Sequence, residues 1–165
     1  MQRRNVIALS ASAALLVGLV VSEGYTEKAV IPVKGDVPTV GFGMTYRPDG
    51  TPVQMGDRTN PIDAIQRSLS HIQKDEIGIK KCVTAPISQV EYDLMVDFAY
   101  QYGVPTLCRS SMVKKANIGD YVGSCKAYLQ YKRVNGYDCS TPGNKRCWGV
   151  WQRSVERYND CMEAQ

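Results

Sequence analysis

Residues 30–43, VIPVKGDVPTVGFG, carry three short β-prone runs separated by turn formers: Val30-Ile31-Pro32-Val33, then Lys34-Gly35-Asp36, then Thr39-Val40-Gly41-Phe42-Gly43. Alternating β-branched residues punctuated by Gly and Pro predict a small antiparallel hairpin or three-stranded sheet with a turn near Gly35-Asp36. Arg47-Pro48-Asp49-Gly50 is a second strong turn. After Asn60-Pro61 the period changes from two to about 3.6. Apolar residues at Ile62, Ala64, Ile65, Leu69, Ile72 and Ile77 predict a helix over 61–81, with Asn60 as its cap and Pro61 in its first turn. Further helices are expected over 88–102, 110–117, 120–131 and 150–162. A small β lobe followed by a larger helical lobe is an α+β arrangement, and a groove between such lobes is where a ligand is expected.

Upstream lies VIALSASAALLVGLVV, Val6–Val21, preceded by Arg3 and Arg4 and followed by Ser22-Glu23-Gly24. As one helix it would span about 24 Å, short of a hydrocarbon core of about 30 Å, and Ala, Ser and Gly18 dilute its apolar character. It therefore reads as a weak membrane anchor able to leave the bilayer. A cleaved signal peptide, a permanent anchor and a soluble core helix are the alternatives. The two arginines before it place the N-terminus in the cytoplasm and the rest of the chain across the membrane. The division expected is 1–22 as this segment and 23–165 as the folded domain.

The chain has 165 residues and a formal charge of +4, which suits an anionic polymer such as a cell wall and equally a solvated, slightly basic surface. Its six cysteines all follow the apolar stretch, as disulfides in an oxidising compartment would. Cys139 and Cys147 flank a Ser-Thr-Pro-Gly-Asn loop and form the expected local pair, leaving Cys108 with Cys125 and Cys82 with Cys161. No CxxC occurs and His71 is the one histidine, so neither a metal nor a cofactor is expected, and His71 reads as a partly exposed surface residue. Trp148 and Trp151 read as packing residues of the last helix, with stacking on sugars as the alternative.

Five segments carry a resemblance. Glu23-Gly24, Thr39–Gly43, Asp97–Gly103, Ser110–Lys115 with Gly119-Asp120-Tyr121, and Gly149–Arg153 follow one another in the order found in the phage-type lysozymes of glycoside hydrolase family 24. With the apolar N-terminal segment, the chain resembles their signal-anchor-release endolysins. The resemblance implies a lysozyme-like fold that hydrolyses the β-1,4 bond between N-acetylmuramic acid and N-acetylglucosamine of peptidoglycan, lysing the host. It implies inactivity on the periplasmic face of the inner membrane and activity once released into the periplasm. Glycan strands and the membrane are the partners expected; nucleic acid is not, and a monomer is.

Glu23 falls on the family's acid, and Thr39 on the threonine that positions water. The family aspartate has no counterpart, because Val33 stands at its place. Asp36, three residues before Thr39, is the nearest carboxylate and is assigned to catalysis, with turn stabilisation as the alternative. Gly41 and Gly43 would allow close approach to sugar, although a strand bend accounts for them equally. Gln101 is expected to line the cleft and Arg153 to hold Glu23 in place. Met44 replaces a family histidine. The apolar segment has no cysteine, so disulfide exchange with the anchor cannot be its switch. A lytic transglycosylase using the same glutamate and a non-enzymatic, membrane-anchored wall-binding protein are the other classes.

Overall fold

The computed structural model describes residues 2–32 and 35–165. The chain divides into two compact units, Ala11–Asp75 and the pair Met1–Ser10 with Glu76–Gln165.

In the first unit the apolar stretch is not one helix. A 3-10 turn at Val6–Ala8, in the other unit, ends at extended Leu9, and helix α1 covers Ala13–Glu23. Short polar side chains make the break: Asn5 accepts from the Ile7 N–H at 3.0 Å, and the Ser12 hydroxyl accepts from the Leu15 N–H at 3.1 Å. Each caps a separate helical turn. The eleven residues of α1 span about 16 Å. Among the described residues no helix is long and apolar enough to cross a membrane.

Strand β1 (Thr26–Val30) pairs antiparallel with β2 (Thr39–Gly41), Thr26 facing Gly41 and Val30 facing Thr39. The first strand lies four residues earlier than its sequence signal, because Pro32 has no N–H to continue the ladder. Val33 and Lys34, part of the expected hairpin, lie outside the described residues. On the other edge of β1, the Ala29 N–H donates to the Asp57 carbonyl at 2.8 Å and the Thr59 N–H to the Glu27 carbonyl at 2.9 Å. Ala29, Val40 and Val53 fill the small core beneath. The turn at Arg47–Gly50 forms as expected, closed by Gly50 N–H to Arg47 carbonyl at 2.9 Å. Helix α2 (Pro61–Cys82) starts where Asn60 accepts from the Asp63 N–H at 2.9 Å.

The second unit contains α3 (Gln89–Tyr102), α4 (Val104–Arg109), α5 (Ser111–Asn117), α6 (Tyr121–Ala127), a hairpin of β3 (Arg133–Val134) and β4 (Tyr137–Asp138), and α7 (Trp148–Glu163). Ser88, Ser110 and Asp120 cap α3, α5 and α6. The helix expected over 120–131 instead ends at Ala127 and tightens into a 3-10 turn at Tyr128–Gln130. Asn135 and Gly136, at φ of 48° and 82°, make the left-handed turn of the β3–β4 hairpin. Phe98 sits at the centre of an aromatic cluster, 4.6 Å from Tyr102, 6.0 Å from Tyr128 and 4.5 Å from Tyr131 between ring centroids. Neither tryptophan is buried here: Trp148 is exposed and Trp151 half-buried.

The N-terminal arm belongs to this unit. Arg4 exchanges backbone hydrogen bonds with Ile87 at 2.8 and 2.9 Å, Val6 and Leu9 are buried, and the Gln89 amide donates to the Ser10 carbonyl. Arg3 lies 3.6 Å over the Tyr121 ring and pairs with Glu91 at 2.9 Å. Burial alone would raise the Glu91 pKa, but Arg3, the Ser88 N–H and Gln165 together hold it below the ordinary range.

Three disulfides join Cys82–Cys108, Cys125–Cys161 and Cys139–Cys147. The local pair is as expected, and the other two correct the pairing of Cys108 with Cys125 and Cys82 with Cys161. The reason is α4, whose six residues carry no readable period. It follows Gly103, at φ 82°, and packs Val104 against Gly78 of α2, where an added methyl would come 2.7 Å from Val104 Cγ1. Cys108 therefore meets the end of α2, and α6 against α7 brings Cys125 to Cys161.

Candidate active site

Glu23 is the last residue of α1, and the chain leaves the helix through Gly24 at φ 68°, a left-handed conformation costly for any side chain with a Cβ. Tyr25 fixes the exit, its hydroxyl donating to the Thr59 carbonyl at 2.9 Å and its ring lying 5.5 Å from Phe42. The Glu23 carboxylate comes back over the end of β2. A methyl group at Gly43 would sit 3.3 Å from Glu23 Oε2, so the absence of a side chain at Gly43 leaves the acid room. That clearance could not be read from spacing.

Gly41, by contrast, faces α2, since its Cβ would stand 3.0 Å from the Ala64 Cβ. It allows β2 to approach the helix. Thr39 is half-buried, with its hydroxyl 3.5 Å from the Val30 carbonyl. Asp36 is exposed, and its Oδ1 accepts from the Val37 N–H at 2.9 Å, the local bond of a turn carboxylate. Val33, at the place of the family aspartate, lies outside the described residues.

Gln101 and Arg153 belong to the other unit. Gln101 Oε1 accepts from Arg157 Nη2 at 2.8 Å. Arg157 is 3% exposed and also donates through Nε to Asp97 Oδ2, while its guanidinium carbon lies 5.7 Å from the Phe98 ring centre. This pair escaped the sequence reading although both residues fall in or near matched segments. Arg153 is half-buried, one turn before Arg157 on α7 and close enough to Tyr102 to act on its hydroxyl. Burial is nevertheless the largest influence there and raises the Tyr102 pKa.

A pH effect follows from the ion pair beneath the Arg47–Gly50 turn. Arg47 grips Asp57 through Nε and Nη2 at 2.7 and 2.8 Å, and this hydrogen bonding holds the Asp57 carboxyl down at about 2. A depressed carboxylate adds stability above its ordinary value near 4 and loses it as pH falls towards 2. Denaturant melts between pH 5 and 2 should therefore show a shallower loss for Arg47→Met than for the parent. Equal slopes would remove the pair from the acid response.

The phage lysozyme family profile matches residues 21–154. The chain belongs to the phage lysozyme family. Its relatives include the SAR-endolysin of Pseudomonas phage phiKMV, 30% identical over 125 residues covering 76% of this chain and 74% of that one. The endolysin of Salmonella phage P22 is 26% identical over 112 residues, 68% of this chain and 76% of its own length. Among solved structures, an endolysin from Escherichia coli O157:H7 phage FAHEc1 has the same fold, with a TM-score of 0.80, 24% identity and 96% of each chain covered. The protein is thus a phage endolysin of lysozyme type, a peptidoglycan-cleaving enzyme with a helical majority and small antiparallel sheets.

Proposed function

We propose that this phage lysozyme hydrolyses the β-1,4 bond between N-acetylmuramic acid and N-acetylglucosamine, with Glu23 as the general acid. The observation that carries this is a carboxylate at a helix end so close to Gly43 that a side chain there would crowd it, inside the matched family segment. Glu23 delivers its proton to the leaving oxygen, and Thr39 and Asp36 orient and activate water. Gln101 and Arg153, in the other unit, are proposed as glycan contacts of that unit. Purified protein added to outer-membrane-permeabilised cells should clear the suspension, and unshortened glycan strands would reject hydrolysis in favour of wall binding.

The N-terminal segment is the control element in this reading. While Val6–Val21 is held in the inner membrane as one continuous helix, Glu23 is fixed at the lipid boundary and Arg3 at the cytoplasmic face. Release lets the stretch break at Ser12 and Arg3 dock on Glu91, placing the enzyme in the periplasm. Support comes from the phiKMV relative and from Val17 and Val21, which remain exposed on α1. Three disulfides suit an oxidising compartment. Replacing Ala13, Ala14 and Gly18 with Leu should keep the protein in the membrane fraction and delay lysis. Unchanged fractionation and timing would contradict release as the trigger.

A further inference from the structure

Within the unit Ala11–Asp75 lies a groove of about 620 Å³ between the 44–48 loop and α2. Its walls differ chemically. One carries the apolar and aromatic side chains of Met44, Tyr46 and Pro48; the other carries the cations Arg67 and Lys74 of α2, with His71 between them. Spacings of four and three residues put these last three on one helix face.

Two carboxylates around the groove have hydrogen-bond partners, Asp57 in Arg47 and Asp63 in Asn60, whose Nδ2 donates to Asp63 Oδ2 at 2.7 Å; Asp75 Oδ2 is buried, 3.4 Å from His71 Nε2. Arg67 acts on Asp57 only at a distance, and neither Arg67 nor Lys74 has a hydrogen-bond or ion-pair partner among the described residues. Seven residues of helix separate their Cα atoms by about 10.5 Å. The pair therefore suits two carboxylates on one ligand better than a single small anion, with an apolar face opposite for its sugar and methyl groups.

We infer that this groove binds the carboxylate-bearing peptide substituent of the glycan strand. The inference rests on peptidoglycan as substrate and adds a second point of attachment, distinct from the carboxylate at Glu23. Guanidinium and ammonium groups hold ionised carboxylates by charge-assisted hydrogen bonds, and an amide in the same place loses that contribution.

The test is a binding titration on Glu23→Gln protein, followed by amide-proton NMR, with N-acetylmuramoyl-L-alanyl-D-glutamate and its diamide as probes. The free acid is expected to bind about tenfold tighter than the diamide at low salt. Adding Arg67→Gln and Lys74→Gln should bring that ratio near one, with shifted resonances at residues 44–48 and 67–74 in the parent alone. A ratio near one in the parent, or an unchanged ratio in the variant with a preserved spectrum, overturns the inference. Because the titration reads no cleavage, an acid preference combined with unsubstituted protein that leaves sacculi intact would refute the enzymatic reading and spare the groove. Cleavage without any acid preference would do the reverse.

Discussion

Glu23→Gln should lower peptidoglycan cleavage by about 10³-fold while the protein folds as before. Glutamine keeps the size of the side chain and its hydrogen-bonding capacity but has no proton to give a leaving oxygen. The helix exit is held independently of the carboxylate, by Gly24 and the Tyr25–Thr59 hydrogen bond. Circular dichroism and melting temperature should therefore match the parent. Gly43→Ala tests the same geometry from the other side: its methyl would stand 3.3 Å from Oε2 in a residue at φ 76°, so cleavage should fall with Glu23 intact. A Glu23→Gln enzyme that retains parental rate would mean that the proton comes from elsewhere.

Asp97→Ala should cost about 3 kcal/mol of folding stability, read from urea denaturation. The cost arises on the arginine side. Arg157 is almost wholly buried, and Asp97, itself 24% exposed in its side chain, is its sole carboxylate partner among the described residues. Removing the acid leaves a guanidinium in an aromatic surround, bonded to the neutral Gln101 amide in place of a carboxylate. Arg157→Met, which removes the buried charge and keeps the volume of the stem, should be less damaging than Asp97→Ala, and the double replacement less damaging than the sum. Additive losses would show that the two side chains do not act as a pair.

The fold was legible where capping and period agree. Asn60-Pro61 marks a helix start by side-chain chemistry and the apolar period marks the helix from Ser88, and α2 and α3 begin within a residue of those signals. The break in the apolar stretch was not legible, since hydropathy averages over Ser10 and Ser12 whereas a single hydroxyl on the Leu15 N–H divides the segment. Helix α4 is too short to show a period, and without it the cysteines could not be placed: Cys108 reaches α2 only because Gly78 and Val104 interlock. Within the site, Glu23 and Thr39 were marked by their neighbours in sequence. Gly43 acquires meaning only beside Glu23, twenty positions away. Arg157 and Asp97, sixty residues apart, carry no local signal, and on a helical wheel Arg157 looks like any charged residue of an amphipathic helix.

In the proposed mechanism Glu23 protonates the sugar bridge and water completes the cleavage. Mass spectrometry of the fragments released from purified sacculi, by the parent and by Glu23→Gln side by side, tests it most directly. Muropeptides ending in reducing N-acetylmuramic acid are expected from the parent and almost none from the variant. Fragments one water lighter would assign an intramolecular ring closure in place of hydrolysis, and equal yields from both proteins would contradict the role of Glu23 itself.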